Sequence, residues 1–182
     1  PPFFAQTWLA SAQAGDDNSA SSSLVETTNT TQELTSFLAY SVSTTTIAYG
    51  GLQPNQNTGT VGATTLAQTR VHAVGNVGLD ETLYGVDMCP AYPAPCSGNA
   101  TSTIPVGEQR YATSSIAYGS ATALLANPGV TYLTHIQKST TTGTSSYVTT
   151  HWGIAVPAAI TLSGDYLGQN TIIGVTSDRS YW

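Results

Sequence analysis

The sequence predicts an all-β protein, an antiparallel β-sandwich preceded by an extended arm, and three observations carry that prediction. Of 182 residues, 30 are Thr and 19 are Ser, while Lys and Arg together number only four, so β-branched propensity outweighs helix propensity. Short runs with apolar alternation recur between clusters of Gly, Pro and Asn, which is the pattern of antiparallel strands joined by turns. Hydrophobic residues make up 40% of the chain and charged residues 8%, enough apolar material for one core and about a third of the usual ~25% charge.

Taken in order, residues 1–30 read as an N-terminal arm or hairpin and residues 31–182 as the sandwich. Gln6 to Ala12 is strand-like, Gly15-Asp16-Asp17-Asn18 is a turn, and Ser22 to Thr28 is a second run. A lone hairpin is marginal in water, so this one must pack on a body or enter a neighbour. Glu33 to Val42 sets Leu34, Leu38 and Tyr40 among hydroxyl residues, and Thr44 to Tyr49 continues extended as far as Gly50-Gly51. Pro54 to Gly59 is a turn. Ala67 to Val74 alternates, with Thr69, Val71 and Ala73 on one face and Arg70, His72 and Val74 on the other, as a half-buried strand does.

After the turn Gly75 to Gly78, a strand runs from Leu79 through Asp80-Glu81-Thr82-Leu83-Tyr84, and a Pro-rich loop then extends to Thr103. Further strands are expected at 104–114, 129–137, 147–156 and 170–177. Thr46-Ile-Ala-Tyr-Gly-Gly is echoed by Ser115-Ile-Ala-Tyr-Gly-Ser; two strands ending at similar glycine turns account for this without a repeat.

Cys89 and Cys96 enclose Pro-Ala-Tyr-Pro-Ala-Pro, and a local disulfide is expected, because neither a second cysteine pair nor nearby histidines complete a zinc site. A disulfide implies an oxidising compartment, so the expected location is extracellular. The sequons Asn29-Thr-Thr and Asn99-Ala-Thr make Asn29 and Asn99 candidate glycosylation sites. Pro1 is followed by neither a basic start nor a long apolar core, so the chain reads as already processed or cut from a longer precursor.

Composition also excludes partners. Arg70, Arg110, Lys138 and Arg179 are scattered, whereas phosphate backbones and anionic membrane surfaces are bound by clustered cations. No run approaches the ~18 apolar residues of a spanning helix. His72, His135 and His151 are not spaced to share a metal, and no Gly-x-Ser-x-Gly elbow is present. No two of the ten carboxylates stand out as a glycosidase pair, and Asp16-Asp17-Asn18 suits a hairpin turn better than a calcium loop. Neither an enzyme nor a cofactor is expected. The ten Tyr, three Trp and three Phe are mostly core candidates, but surface aromatics stack on sugars or fill interfaces, and Trp8, Tyr181 and Trp182 are the hardest to bury in their own domain.

Four segments carry a resemblance: Val74-Gly-Asn-Val-Gly-Leu-Asp, Ile104-Pro-Val-Gly-Glu-Gln-Arg-Tyr-Ala-Thr-Ser, Trp152-Gly-Ile-Ala-Val-Pro and Gly164-Asp-Tyr-Leu-Gly-Gln-Asn-Thr-Ile. Together they resemble immunoglobulin-like domains at the ends of large, Thr-rich secreted surface proteins of uncultivated bacteria. The resemblance continues upstream through Ala5-Gln-Thr-Trp-Leu-Ala-Ser, which in such proteins would be the last hairpin of a preceding sandwich. It covers most of the chain and implies an immunoglobulin-like architecture and a cell-surface location rather than a chemistry. Glu81 departs from the pattern, standing where a strand interior carries an apolar residue.

Two functions follow as expectations. In the first, the protein is the subunit of an extracellular filament or pilus, a homopolymer in which the arm of one copy completes the sheet of the next. Phe3, Phe4, Trp8, Leu9, Leu24 and Val25 of the arm, with Tyr181 and Trp182, are then the subunit contacts. In the second, it is an adhesive or glycan-binding module that meets surface glycans through the loop 89–96 and Tyr92.

Overall fold

The structure, a computed structural model, describes residues 11–15, 21–26, 36–139 and 145–181. Among these the regular elements are antiparallel strands and single 3-10 turns, with no α-helix. The strands are β1 (Ser11–Ala12), β2 (Val25–Glu26), β3 (Tyr40–Val42), β4 (Gln56–Asn57), β5 (Gln68–Ala73), β6 (Leu79–Gly85), β7 (Gln109–Ala112), β8 (Thr122–Ala123), β9 (Val130–Ile136), β10 (Ser146–Val156) and β11 (Asn170–Thr176). β1 and β2 pair only with each other; one larger sheet has the order β3-β5-β10-β7-β8 with β4 on the end of β10, and a smaller one has the order β11-β6-β9.

The two larger sheets share a core because their strands alternate. On β5, Thr69, Val71 and Ala73 are buried while Arg70 is exposed, as the sequence pattern requires. Val71 and Ala73 meet Leu79 and Ile136 from the smaller sheet, and Tyr111 and Trp152 meet Leu83 and Leu124. Each leucine, isoleucine or valine buried this way contributes about 1.5–3 kcal/mol. Trp152 is wholly enclosed, and its indole N–H stays satisfied by donating to Thr69 Oγ1 at 2.9 Å. Gly62, with φ of +66°, lets the loop over β10 donate its N–H to Trp152 O at 2.7 Å; a Cβ there would collide with His151.

Several expected strands take a different form. The run 104–114 is strand only at β7, because Pro105 offers no N–H and a 3-10 turn follows at Val106–Glu108, with Val106 N–H donating to Asp87 Oδ1 at 2.8 Å. Thr44 to Tyr49 forms no strand, and the echo at Ser115 ends in a 3-10 turn at Tyr118–Ser120, so neither echoed segment is a strand. The expected turn after Pro54 contains β4, paired through Gln56 and Asn57 with the end of β10. The hairpin is present, with Ser11 opposite Glu26 and Ala12 opposite Val25. Phe3, Phe4, Trp8, Leu9, Asn29 and Trp182 lie outside the described residues.

Candidate functional site

A groove of about 550 Å³ opens into the core where five separate segments meet. One wall is the irregular segment from Thr46 to Leu52, which follows β3; the other is Gly164 to Leu167, which precedes β11. The floor is Met88, Ile104, Ile154 and Val156. Ile104 and Ile154 belong to a buried cluster with Ile160, against which Tyr49, Leu52 and Tyr166 are half-buried. A second recess of about 390 Å³ shares Ile47, Tyr49, Met88 and Tyr166 with the groove and adds the amides of Gln109, Gln169 and Asn170.

The main chain of the first wall is nearly unpaired. Among the described residues, 45–52 make one main-chain hydrogen bond, from Ala48 N–H to Leu66 O at 2.9 Å. Free N–H and C=O groups in a row are a template for another strand. Ile47 and Tyr49, two positions apart, both pack towards the core around Trp152. Tyr49 is anchored there by donating its O–H to Gln109 Oε1 at 3.0 Å, and Asn170 Nδ2 donates to the same oxygen at 2.8 Å. Burial raises the Tyr49 phenol well above its ordinary range, so the ring stays neutral.

The second wall is held by the Pro-rich loop. Cys89 and Cys96 are joined, with Cα atoms 5.7 Å apart. Cys89 exchanges main-chain hydrogen bonds with Leu167, at 3.0 and 3.2 Å. Tyr92 O–H donates to Gln169 Oε1 at 3.2 Å, so this aromatic is tied to its own chain. Asn99 is exposed, and its Oδ1 accepts from both the N–H and the hydroxyl of Thr101.

The remaining candidates are spread over the molecule. Leu24 and Val25 of the hairpin are 54% and 68% exposed. Tyr181 stacks on His135 of its own chain, ring centroids 4.1 Å apart. His135 donates its N–H to buried Asp80 Oδ1 at 2.7 Å and holds its ring 3.5 Å from the same oxygen. His72 and His151 lie on the other sheet, on β5 and β10; among the described residues no three His, Cys, Asp or Glu side chains converge as metal ligands would.

Glu81 faces the core between Leu79 and Leu83 and is 0% exposed. Its Oε2 accepts from Thr150 Oγ1 at 3.2 Å, and its Oε1 has no partner. Burial, helped by neighbouring Asp80, pushes its pKa up to about 7 against the smaller opposing effect of the Thr150 bond. The sequence marked this residue as unusual, and alternation puts it inside. Nothing local marked the groove, whose lining comes from residues more than a hundred positions apart. No protein-family model, no curated protein and no solved structure matches the chain.

Proposed function

We propose that the protein is a structural, non-catalytic subunit of an extracellular filament or pilus, assembled when an N-terminal strand of one copy enters the groove of the next. The observation that carries this reading is the groove wall at 45–52, whose main chain is almost without partners beside an opening into the apolar core. An added strand gains its affinity from such main-chain groups and its specificity from pockets that take alternate side chains.

The donor is the arm. Phe3, Phe4, Trp8 and Leu9 supply large apolar side chains over a few residues, and every described side chain of the hairpin from Ser11 to Gly15 and from Ser21 to Val25 is exposed. A contact between two different surfaces of identical copies propagates as a fibre unless its rotation closes a ring. The scarcity of charge supports close packing, since few ions would have to be desolvated. The two-sheet body is read as an immunoglobulin-like sandwich of a secreted surface protein, supported by the antiparallel sheets, the Cys89–Cys96 disulfide and the resemblance of the sequence.

Negative-stain electron microscopy of the secreted chain tests this. The whole chain should form regular thin fibres, a chain lacking residues 1–28 should remain as dispersed particles, and a peptide of residues 1–12 should bind the shortened chain. Leu52→Asp, in the half-buried groove wall, should abolish fibres while the protein still melts cooperatively. Fibres that survive deletion of the arm would rule out strand donation.

A further inference from the structure

The outer face of the larger sheet carries a second feature, remote in role from the groove. The register of β5 against β10 sets Tyr147 opposite His72 and Thr149 opposite Arg70, and β3 adds Ser41 beside His72. These side chains point away from the core, since Val71, Ala73 and Thr150 between them are buried. Tyr147 is 50% exposed, the guanidinium carbon of Arg70 lies 5.3 Å from its ring centroid, and the His72 ring lies 5.0 Å from it. The His72 ring is held by a 2.9 Å hydrogen bond between Nδ1 and Ser145 Oγ.

Arg70 is exposed and, among the described residues, makes no ion pair, although the chain has ten carboxylates against four Lys and Arg. Among the described residues neither the Arg70 nor the Arg110 side chain lies within 4 Å of a carboxylate, whereas the His135 ring does contact Asp80, and β3, β5 and β10 carry no Asp or Glu at all. The face therefore combines an uncompensated guanidinium, an aromatic platform and a surround of hydroxyl groups. By contrast Arg110, on β7, spends its guanidinium on the carbonyls of Gly119 and Ala121 at 3.0 and 3.2 Å.

We propose that this face binds an acidic saccharide, a pyranose bearing a carboxylate. The exposed part of the Tyr147 ring takes the C–H face of the sugar, Arg70 receives the carboxylate through paired N–H donors, and Ser41 and Thr149 meet ring hydroxyls. The cation–π contact keeps the guanidinium beside the ring, so little side-chain freedom is lost on binding. One free arginine is too little for a polyphosphate strand, and the hydroxyl surround suits a polyol better than a peptide.

The test passes the whole chain over immobilised oligogalacturonate and over the same oligosaccharide as its methyl ester, which keeps the ring and removes the charge. The free acid should bind and the ester should bind at least tenfold more weakly, with affinity for the acid falling as salt rises. Arg70→Gln should cost at least tenfold, since the paired charge-assisted hydrogen bonds are lost, and Tyr147→Ala should abolish binding while Tyr147→Phe retains it. No binding of the acid, equal binding of acid and ester, or unchanged binding by Arg70→Gln overturns the proposal. Equally tight capture of a polyglutamate peptide also overturns it, because the face would then recognise charge without a sugar.

Discussion

Glu81 places a carboxyl group in a core where its neighbours on the same face are leucines, and burial favours its neutral form. Its folded pKa of about 7 exceeds the ordinary value of 4.5, so the stability linked to it is fully present below pH 4.5 and lost as pH rises to 7. The loss should amount to about 3 kcal/mol at most, at ~1.4 kcal/mol per pH unit of displacement. Urea denaturation from pH 4 to 8 should show wild-type stability declining over that window, whereas Glu81→Gln should remove the decline and be the more stable protein at pH 8. The same slope in both proteins would assign the pH dependence to another group. At this scale the sequence was informative wherever alternation decided facing: Val71 and Ala73 inside, Arg70 outside. It was silent on partners such as Thr150 for Glu81 or Gln169 for Tyr92, which lie 69 and 77 residues away.

Among the elements, β5, β6, β9, β10 and β11 could be read from the chain because each is six residues or longer; β9, β10 and β11 are rich in β-branched and aromatic residues, and β5 alternates with a clear period of two. β4 and β8 are two residues each, too short for any period to register. The groove could not be read either, since its walls are irregular segments whose positions are set by other elements. The disulfide loop shows how one wall is set, through the Cys89 main chain paired with Leu167. Replacing both cysteines with alanine should therefore cost about 2–3 kcal/mol of stability for so short a loop. Amide exchange at Leu167 should rise together with that loss. Unchanged exchange there would mean that the Tyr92 and Leu167 hydrogen bonds hold the wall unaided.

For the molecule as a whole, the all-β class could be read because propensity is spread along the chain, whereas the sheet order joins strands distant in sequence. The proposed assembly rests on main-chain hydrogen bonds and apolar pockets in a chain with 8% charge. Fibre mass recovered by sedimentation should accordingly stay constant between about 0.05 and 1 M NaCl, a range that shrinks the Debye length to ~3 Å. Dissolution by salt alone would point instead to contacts between charged faces.

The bare wall from Thr45 to Leu52 also has a bearing on time. Sheet edges are ordinarily guarded by lysine, proline or a bulge, and this stretch, Thr-Thr-Ile-Ala-Tyr-Gly-Gly-Leu, has no lysine or proline. If copies join by strand donation as proposed above, a newly folded one stays vulnerable until its neighbour arrives, because its unpaired main chain can be taken by another extended chain first. Survival through that interval depends on dilution, on an escort that occupies the edge, or on polymerisation fast enough to outrun misjoining.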